Sequence, residues 1–129
     1  MKIAIGCDHG AIDLKNKLVS HLKEKGYEVC DFGTHTPDSC DYPVYAAAAA
    51  RAVAAGECQR GIVLCTTGIG VSIAANKIHG IRCALLHDLE SARLTRLHND
   101  TNMMALGAGV TEEAFALELA DTWLTTEFS

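Results

Sequence analysis

Five short apolar runs alternate with five segments of helical apolar spacing along 129 residues, and that alternation predicts an α/β domain. At one handover the run Gly61 to Cys65 passes through Thr66-Thr67-Gly68-Ile69-Gly70 into a helical stretch ending near Lys77, as a buried strand does when it meets a helix through a tight turn. A chain of this length fits one domain. Together these observations predict a three-layer α/β/α Rossmann-like fold over residues 1–129, with a five-stranded parallel sheet covered on both faces.

Residues 2 to 7 read as the first strand, with Cys7-Asp8-His9-Gly10 as the turn after it. Ala11, Leu14, Leu18, Val19 and Leu22 then fall on one helical face, and Gly26 ends that helix behind Lys23 and Lys25. Tyr27 to Phe32 makes the second strand. Thr34 to Asp41, rich in Thr, Asp, Ser and Pro, is a loop, and Tyr42-Pro43 opens an alanine-rich helix to about Ala55. After the third strand and its helix, Gly80 precedes a fourth strand over Ile81 to Leu86, and Asp88 caps a helix closed by His98-Asn99-Asp100. Asn102 to Leu106 is the fifth strand, and Thr111 is expected to cap a last helix that runs to Thr125.

The net charge of −5, with both signs interspersed, argues against nucleic acid or an anionic membrane surface as a partner. The apolar run before Asp8 is far too short for a signal peptide, so a cytoplasmic location is expected. None of the six cysteines forms a C-x-x-C pair, and in a reducing compartment each defaults to a small buried hydrophobe. The histidines and carboxylates show no metal-ligand spacing, so no metal is expected.

Ligands of parallel α/β sheets gather beyond the carboxyl ends of the strands. That rule directs attention to Asp8 and His9, Tyr42, Cys65 to Gly70, and His87 with Asp88. Cys65 at a strand end before a helix has two readings, an activated thiol or a packed one. The loop Thr66 to Gly70 is either an anion cradle or a tight turn that needs glycine. Asp8 alone reads as a cap, and Arg93 with Arg96 as a solvated helix face from which either arginine can reach an anion at a subunit boundary. Thiol phosphatase chemistry is excluded, because the position where its C-x5-R loop carries arginine is Val71.

Gly6-Cys7-Asp8-His9, Asp41-Tyr42-Pro43, Cys65 to Lys77, Gly80-Ile81-Arg82 and His98-Asn99-Asp100-Thr101-Asn102 occur in this order. Together they resemble the type B ribose-5-phosphate isomerase family, which includes galactose-6-phosphate isomerase subunits and allose-6-phosphate isomerases. The resemblance implies a single sugar-phosphate isomerase domain without cofactor, an aldose–ketose isomerase of the ribose 5-phosphate/ribulose 5-phosphate type that works through a cis-enediolate. It implies Cys65 as the base, Thr67 assisting at the oxygens, and Asp8 with His98 of a neighbouring subunit opening the sugar ring. His9 would face the phosphate, Tyr42 and Asn99 would line the site, and the N–H groups of Thr66, Thr67, Gly68, Ile69 and Gly70 would form the oxyanion hole. A homodimer or tetramer with shared sites is implied, with a small sugar or sugar phosphate as the only other partner.

Three positions depart from that family's pattern. Thr66 stands where glycine usually follows the cysteine, and Gly109 stands where members acting on five-carbon phosphates carry arginine. The stretch Trp123 to Ser129 also holds no arginine where longer members have a basic extension. Each missing guanidinium contact removes a charge-assisted hydrogen bond worth roughly 1.5–3 kcal/mol. A different four- to six-carbon sugar, an unphosphorylated sugar, or a catalytically weak sugar-binding subunit of a mixed oligomer are therefore the competing expectations.

Overall fold

The computed structural model describes residues 1–129. Strand β1 (Lys2–Cys7) leads through a 3-10 turn, His9–Ala11, into helix α1 (Ile12–Glu24). There follow β2 (Glu28–Asp31), α2 (Tyr42–Ala54), β3 (Arg60–Cys65), α3 (Ile69–Asn76), β4 (Cys83–Leu85), α4 (Leu89–Asn99), β5 (Met103–Gly107) and α5 (Glu113–Thr125). The strands form one sheet in the order β2-β1-β3-β5-β4, and every neighbouring pair is parallel. The chain leaves β1 toward β2 and leaves β3 in the opposite direction, so the crevice between these two strand ends is the topological switch point. The Asp8 amide donates to the Leu64 carbonyl at 3.1 Å and joins those ends.

Alternation along the strands sorts their side chains between the two faces. Ile3, Ile5, Ile62, Leu64, Met104 and Leu106 pack with Leu14, Leu18 and Leu22 of α1, Ala92 of α4, and Leu119 and Trp123 of α5. Ala4, Val63, Cys65, Met103 and Ala105 face Ala46, Ala49, Ala50 and Val53 of α2, and Val71 and Ala75 of α3. Gly6 lies under α2, where a Cβ would fall 2.6 Å from the Tyr45 carbonyl oxygen. The alanine-rich helix therefore rests its backbone directly on the sheet.

Several expectations shift in detail. The fourth strand is shorter than Ile81 to Leu86, because Arg82 instead receives its partner from a side chain: its amide donates to Asn102 Oδ1 at 2.9 Å. Glu112, not Thr111, caps α5, its carboxylate accepting from the Ala114 amide. Thr111 is drawn inward, donating its amide to the Gly107 carbonyl at 2.9 Å. Arg96 is buried rather than solvated: it donates to the carbonyls of Thr101 and Thr126 and to Asp100, satisfying acceptors near the ends of α4 and α5. Asp88 caps α4 as expected, its carboxylate accepting the Ser91 amide at 2.7 Å.

Candidate active site

Cys65 ends β3 on the face covered by α2 and α3, and only 7% of it is exposed. Its Sγ accepts a hydrogen bond from the Gly68 amide at 3.1 Å, which gives the sulfur a donor of the kind a thiolate needs. Gly68 reaches that position with φ +79, and a Cβ there would lie 2.6 Å from Leu85 Cδ1 and 2.8 Å from the Leu106 carbonyl carbon. Glycine is thus required twice over, by conformation and by space. Thr67 Oγ1 accepts from the Ile69 amide at 3.2 Å. The amides of Thr66, Thr67, Gly70 and Val71 donate to no backbone carbonyl, so the start of α3 offers unpaired donors beside the thiol. Within the predicted oxyanion loop, Gly68 and Ile69 already spend their N–H groups on Cys65 and Thr67.

Asp8 is half-buried, and its Oδ1 accepts the Gly10 amide at 2.9 Å as the cap of the 3-10 turn. His9 is exposed, with Nδ1 accepting from the Cys40 amide at 3.3 Å. An amide can only donate, so a neutral His9 ring carries its hydrogen on Nε2. A cavity of about 440 Å³ opens here, bounded by His9, Gly10, Pro37, Ala108 and Thr111. Tyr42, at the start of α2, lays its ring on Gly70, where a Cβ would sit 2.8 Å from the ring carbons.

Two elements of this neighbourhood lie outside the residues that the sequence singles out. Cys40 is one: it departs from the buried default, lying partly exposed with Sγ 3.7 Å from His9 Nδ1. The other is the anchor of its loop, a Lys15–Asp31 ion pair of 2.7 Å in which the lysine is 1% exposed. Lys15 Nζ also lies 3.5 Å from His35 Nδ1, and Asp31 accepts the Gly33 amide at 2.9 Å. The only trace of it in sequence is a lysine beside Leu14 and Leu18 on an otherwise apolar helical stripe.

His98 and Asn99 stand apart from this group. Helix α4 starts beyond the carboxyl end of β4 and runs back, so both residues lie at the amino-terminal edge of the sheet. There the Asn99 carbonyl accepts from Arg82 Nε at 2.7 Å, in a groove shared with Asn76 and Thr101. About one strand length, ~17–20 Å, separates them from Cys65 of the same chain.

The six cysteines are all free. Burial pushes the Cys7 thiol up to about 11 and the Cys83 thiol up to about 12. Burial, with Cys30 beside it, also pushes Cys58 up to about 11. No group of three or more His, Cys, Asp or Glu side chains is placed to hold a metal ion. No helix is long and apolar enough to cross a membrane.

A family model described as Ribose/Galactose Isomerase matches residues 3–129. Ribose-5-phosphate isomerase B of Escherichia coli is 48% identical over 127 residues, covering 98% of this chain and 85% of the relative. D-erythrulose-4-phosphate isomerase of Pectobacterium atrosepticum is 45% identical over 129 residues, covering 99% and 85%. The solved structure of ribose-5-phosphate isomerase B from Clostridium thermocellum gives a TM-score of 0.98 at 53% identity, over 99% of this chain and 86% of that one. With its parallel sheet, its strand-end thiol and a family match over nearly the whole length, the chain belongs to the ribose/galactose isomerase family and is an aldose–ketose isomerase.

Proposed function

We propose that the chain isomerises a small aldose phosphate, by a reaction of the ribose 5-phosphate/ribulose 5-phosphate type that runs through a cis-enediolate with Cys65 as the base. The observation that carries this reading is the Cys65 sulfur with the Gly68 N–H on it, next to the unpaired amides that open α3. As a thiolate, Cys65 takes the proton from C2 of the open-chain aldose, and the electron pair moves onto the carbonyl oxygen at C1. The free N–H groups of Thr66, Thr67 and Gly70 stabilise that developing charge, Thr67 helps pass the proton between the two oxygens, and Cys65 returns its proton to C1. The ketose leaves with atoms and protons balanced. No cofactor takes part in this sequence.

At the other end of the substrate, His9 Nε2–H points a donor at the phosphate, its tautomer set by the Cys40 amide. Tyr42 forms a wall over Gly70. Asp8 keeps one carboxylate oxygen beyond its bond to Gly10 and works with His98 of a second copy to open the ring of substrates with five or more carbons, a four-carbon 4-phosphate forming none. Asn99 of that copy joins the same site. The position of α4 supports a shared site, because it holds His98 about one strand length, ~17–20 Å, from Cys65 of the same chain. Tyr42, Val44, Ile69 and Ile73 are exposed on the α2–α3 face around the thiol and suit an interface between two copies.

The reading predicts exchange of solvent deuterium into C2 of the substrate during turnover. Retention of the full isomerisation rate by Cys65→Ala would remove Cys65 from its role. Sharing is tested by mixing Cys65→Ala with His98→Asn after dissociation. Assayed on a ring-forming five-carbon phosphate, hybrids of two inactive chains regain about a quarter of wild-type activity, because half of the dimers are hybrids and each holds one intact site. No recovery overturns the shared site.

A further inference from the structure

Thr66 follows Cys65 directly, and its exposed side chain lies against Gly10, which bounds the His9 cavity, and against Gly109 on the other side. A Cβ on Gly10 would clash with Thr66 Oγ1, and a Cβ on Gly109 would lie 2.9 Å from Thr66 Cγ2. The Gly109 amide donates to the Thr66 carbonyl at 2.8 Å, so the approach is fixed by backbone as well. Neither Gly10 nor Gly109 has a positive φ, unlike Gly26, Gly33, Gly56, Gly68 and Gly80. Their backbones admit any residue; what excludes a side chain at both positions is Thr66.

Resting on the isomerase reading above, we propose that the Thr66 side chain sets the length of the sugar phosphate, favouring a four-carbon aldose phosphate over five- and six-carbon ones. A substrate that puts C1 and C2 at Cys65 and its phosphate at His9 must run across residue 66. There the Cβ, Oγ1 and Cγ2 of threonine take up room comparable with one hydroxylated sugar carbon. β-Branching restricts χ1, and the two flanking glycine turns hold the side chain from opposite sides, so it does not swing away. Gly109 adds no cation of its own to reach for a more distant phosphate.

The test compares kcat/KM on four-, five- and six-carbon aldose phosphates for the wild type, Thr66→Gly and Thr66→Ser. The wild type should prefer the four-carbon substrate, and Thr66→Gly should move the four- to five-carbon ratio toward the longer sugar by at least roughly 10-fold and up to the ~200-fold that one carbon is worth in an apolar pocket. Thr66→Ser, which keeps Oγ1 and drops Cγ2, should fall between and covers the case in which the glycine variant fails to fold. Turnover with an unchanged ratio, or a wild type that prefers the longer sugars, overturns the proposal and leaves the isomerase reading standing. Absence of wild-type turnover on all three overturns both. A second arm reads the wedge without activity: Gly109→Ala should lower Tm more in the Thr66 background than in Thr66→Gly, where only the backbone carbonyl of residue 66 stays close, and additive effects would refute the contact.

Discussion

The two faces of the sheet are built from different side chains. Behind it, α1, α4 and α5 bury Leu14, Leu18, Leu22, Leu119 and Trp123 against Ile3, Ile5, Ile62 and Leu64. In front, α2 and α3 bury Ala46, Ala49, Ala50 and Ala75 against Ala4, Val63 and Ala105. Large side chains remove much apolar area from water, so the rear face carries most of the hydrophobic stabilisation. Small ones let backbones approach, which brings the starts of α2 and α3, with Tyr42 and the free amides, down onto the end of β3. The thiol and its amides sit on the face that is thin in hydrophobic bulk, and the rear helices offer only the far end of α4, His98 and Asn99, to the proposed site of a second copy.

If that division holds, substitutions around the thiol in front should act on turnover and those in the rear core on stability. The largest effect is expected at Cys65, which belongs to the front core without contributing much bulk to it. Cys65→Ser should lower kcat by about 10²–10⁴-fold, the usual worth of a positioned base, while a thermal melt moves by only a few degrees. A large loss of Tm with normal turnover of the folded fraction would reverse the assignment of roles.

Trp123 is the matching probe behind. It is fully buried, and its Nε1 donates to Thr101 Oγ1 at 3.0 Å. Trp123→Ala should cost about 3–5 kcal/mol in denaturant unfolding, with kcat unchanged in the fraction that remains folded. Loss of kcat in that fraction would show that the faces are not independent. A smaller effect is expected at Ala49, fully buried and against Gly6 on the front face. Ala49→Leu should cost about 1–3 kcal/mol by overpacking, and by lifting α2 it should also raise KM through Tyr42. An unchanged KM would mean that α2 approaches the sheet for packing alone.

This division was partly legible in the sequence. The alternation of runs gives the parallel sheet, and the alanines of 46–50 announce a close helix, because both signals are local. The strand-to-helix handover likewise marks Cys65 and Gly68. What the sequence hides is long-range. Cys40 meets His9 across 31 residues, and Asp31 holds the buried Lys15 across 16. Neither pair has a periodicity to reveal it. Arg96 reads as solvated because a helical wheel cannot show that the chain after α5 returns its Thr126 carbonyl to it. The glycines at 10 and 109 look like ordinary turn residues until their lack of positive φ points to Thr66 instead. His98 and Asn99 are recognisable as a motif, yet only the direction of α4 shows that a single chain holds them far from the thiol.

The smallest effect should come from Asp88, which lies at the carboxyl end of the edge strand, separated from β3 by β5. Its position admits two roles, a site residue or a cap, and its geometry is that of a cap. The Ser91 amide bonded to its carboxylate holds Asp88 below the usual carboxylate range. A carboxylate with a lowered folded-state value binds fewer protons folded than unfolded. Its contribution is therefore complete above the ordinary aspartate value and disappears as pH falls through the lower folded one. Asp88→Asn keeps a capping oxygen but not the charge, so at pH 7 it should melt slightly below wild type. That gap should close as the pH is lowered through the acidic range, and kcat/KM should not change at any pH where both proteins are folded. A gap that widens in acid would contradict the cap, and a fall in kcat/KM would extend the chemical face of the molecule to the edge of its sheet.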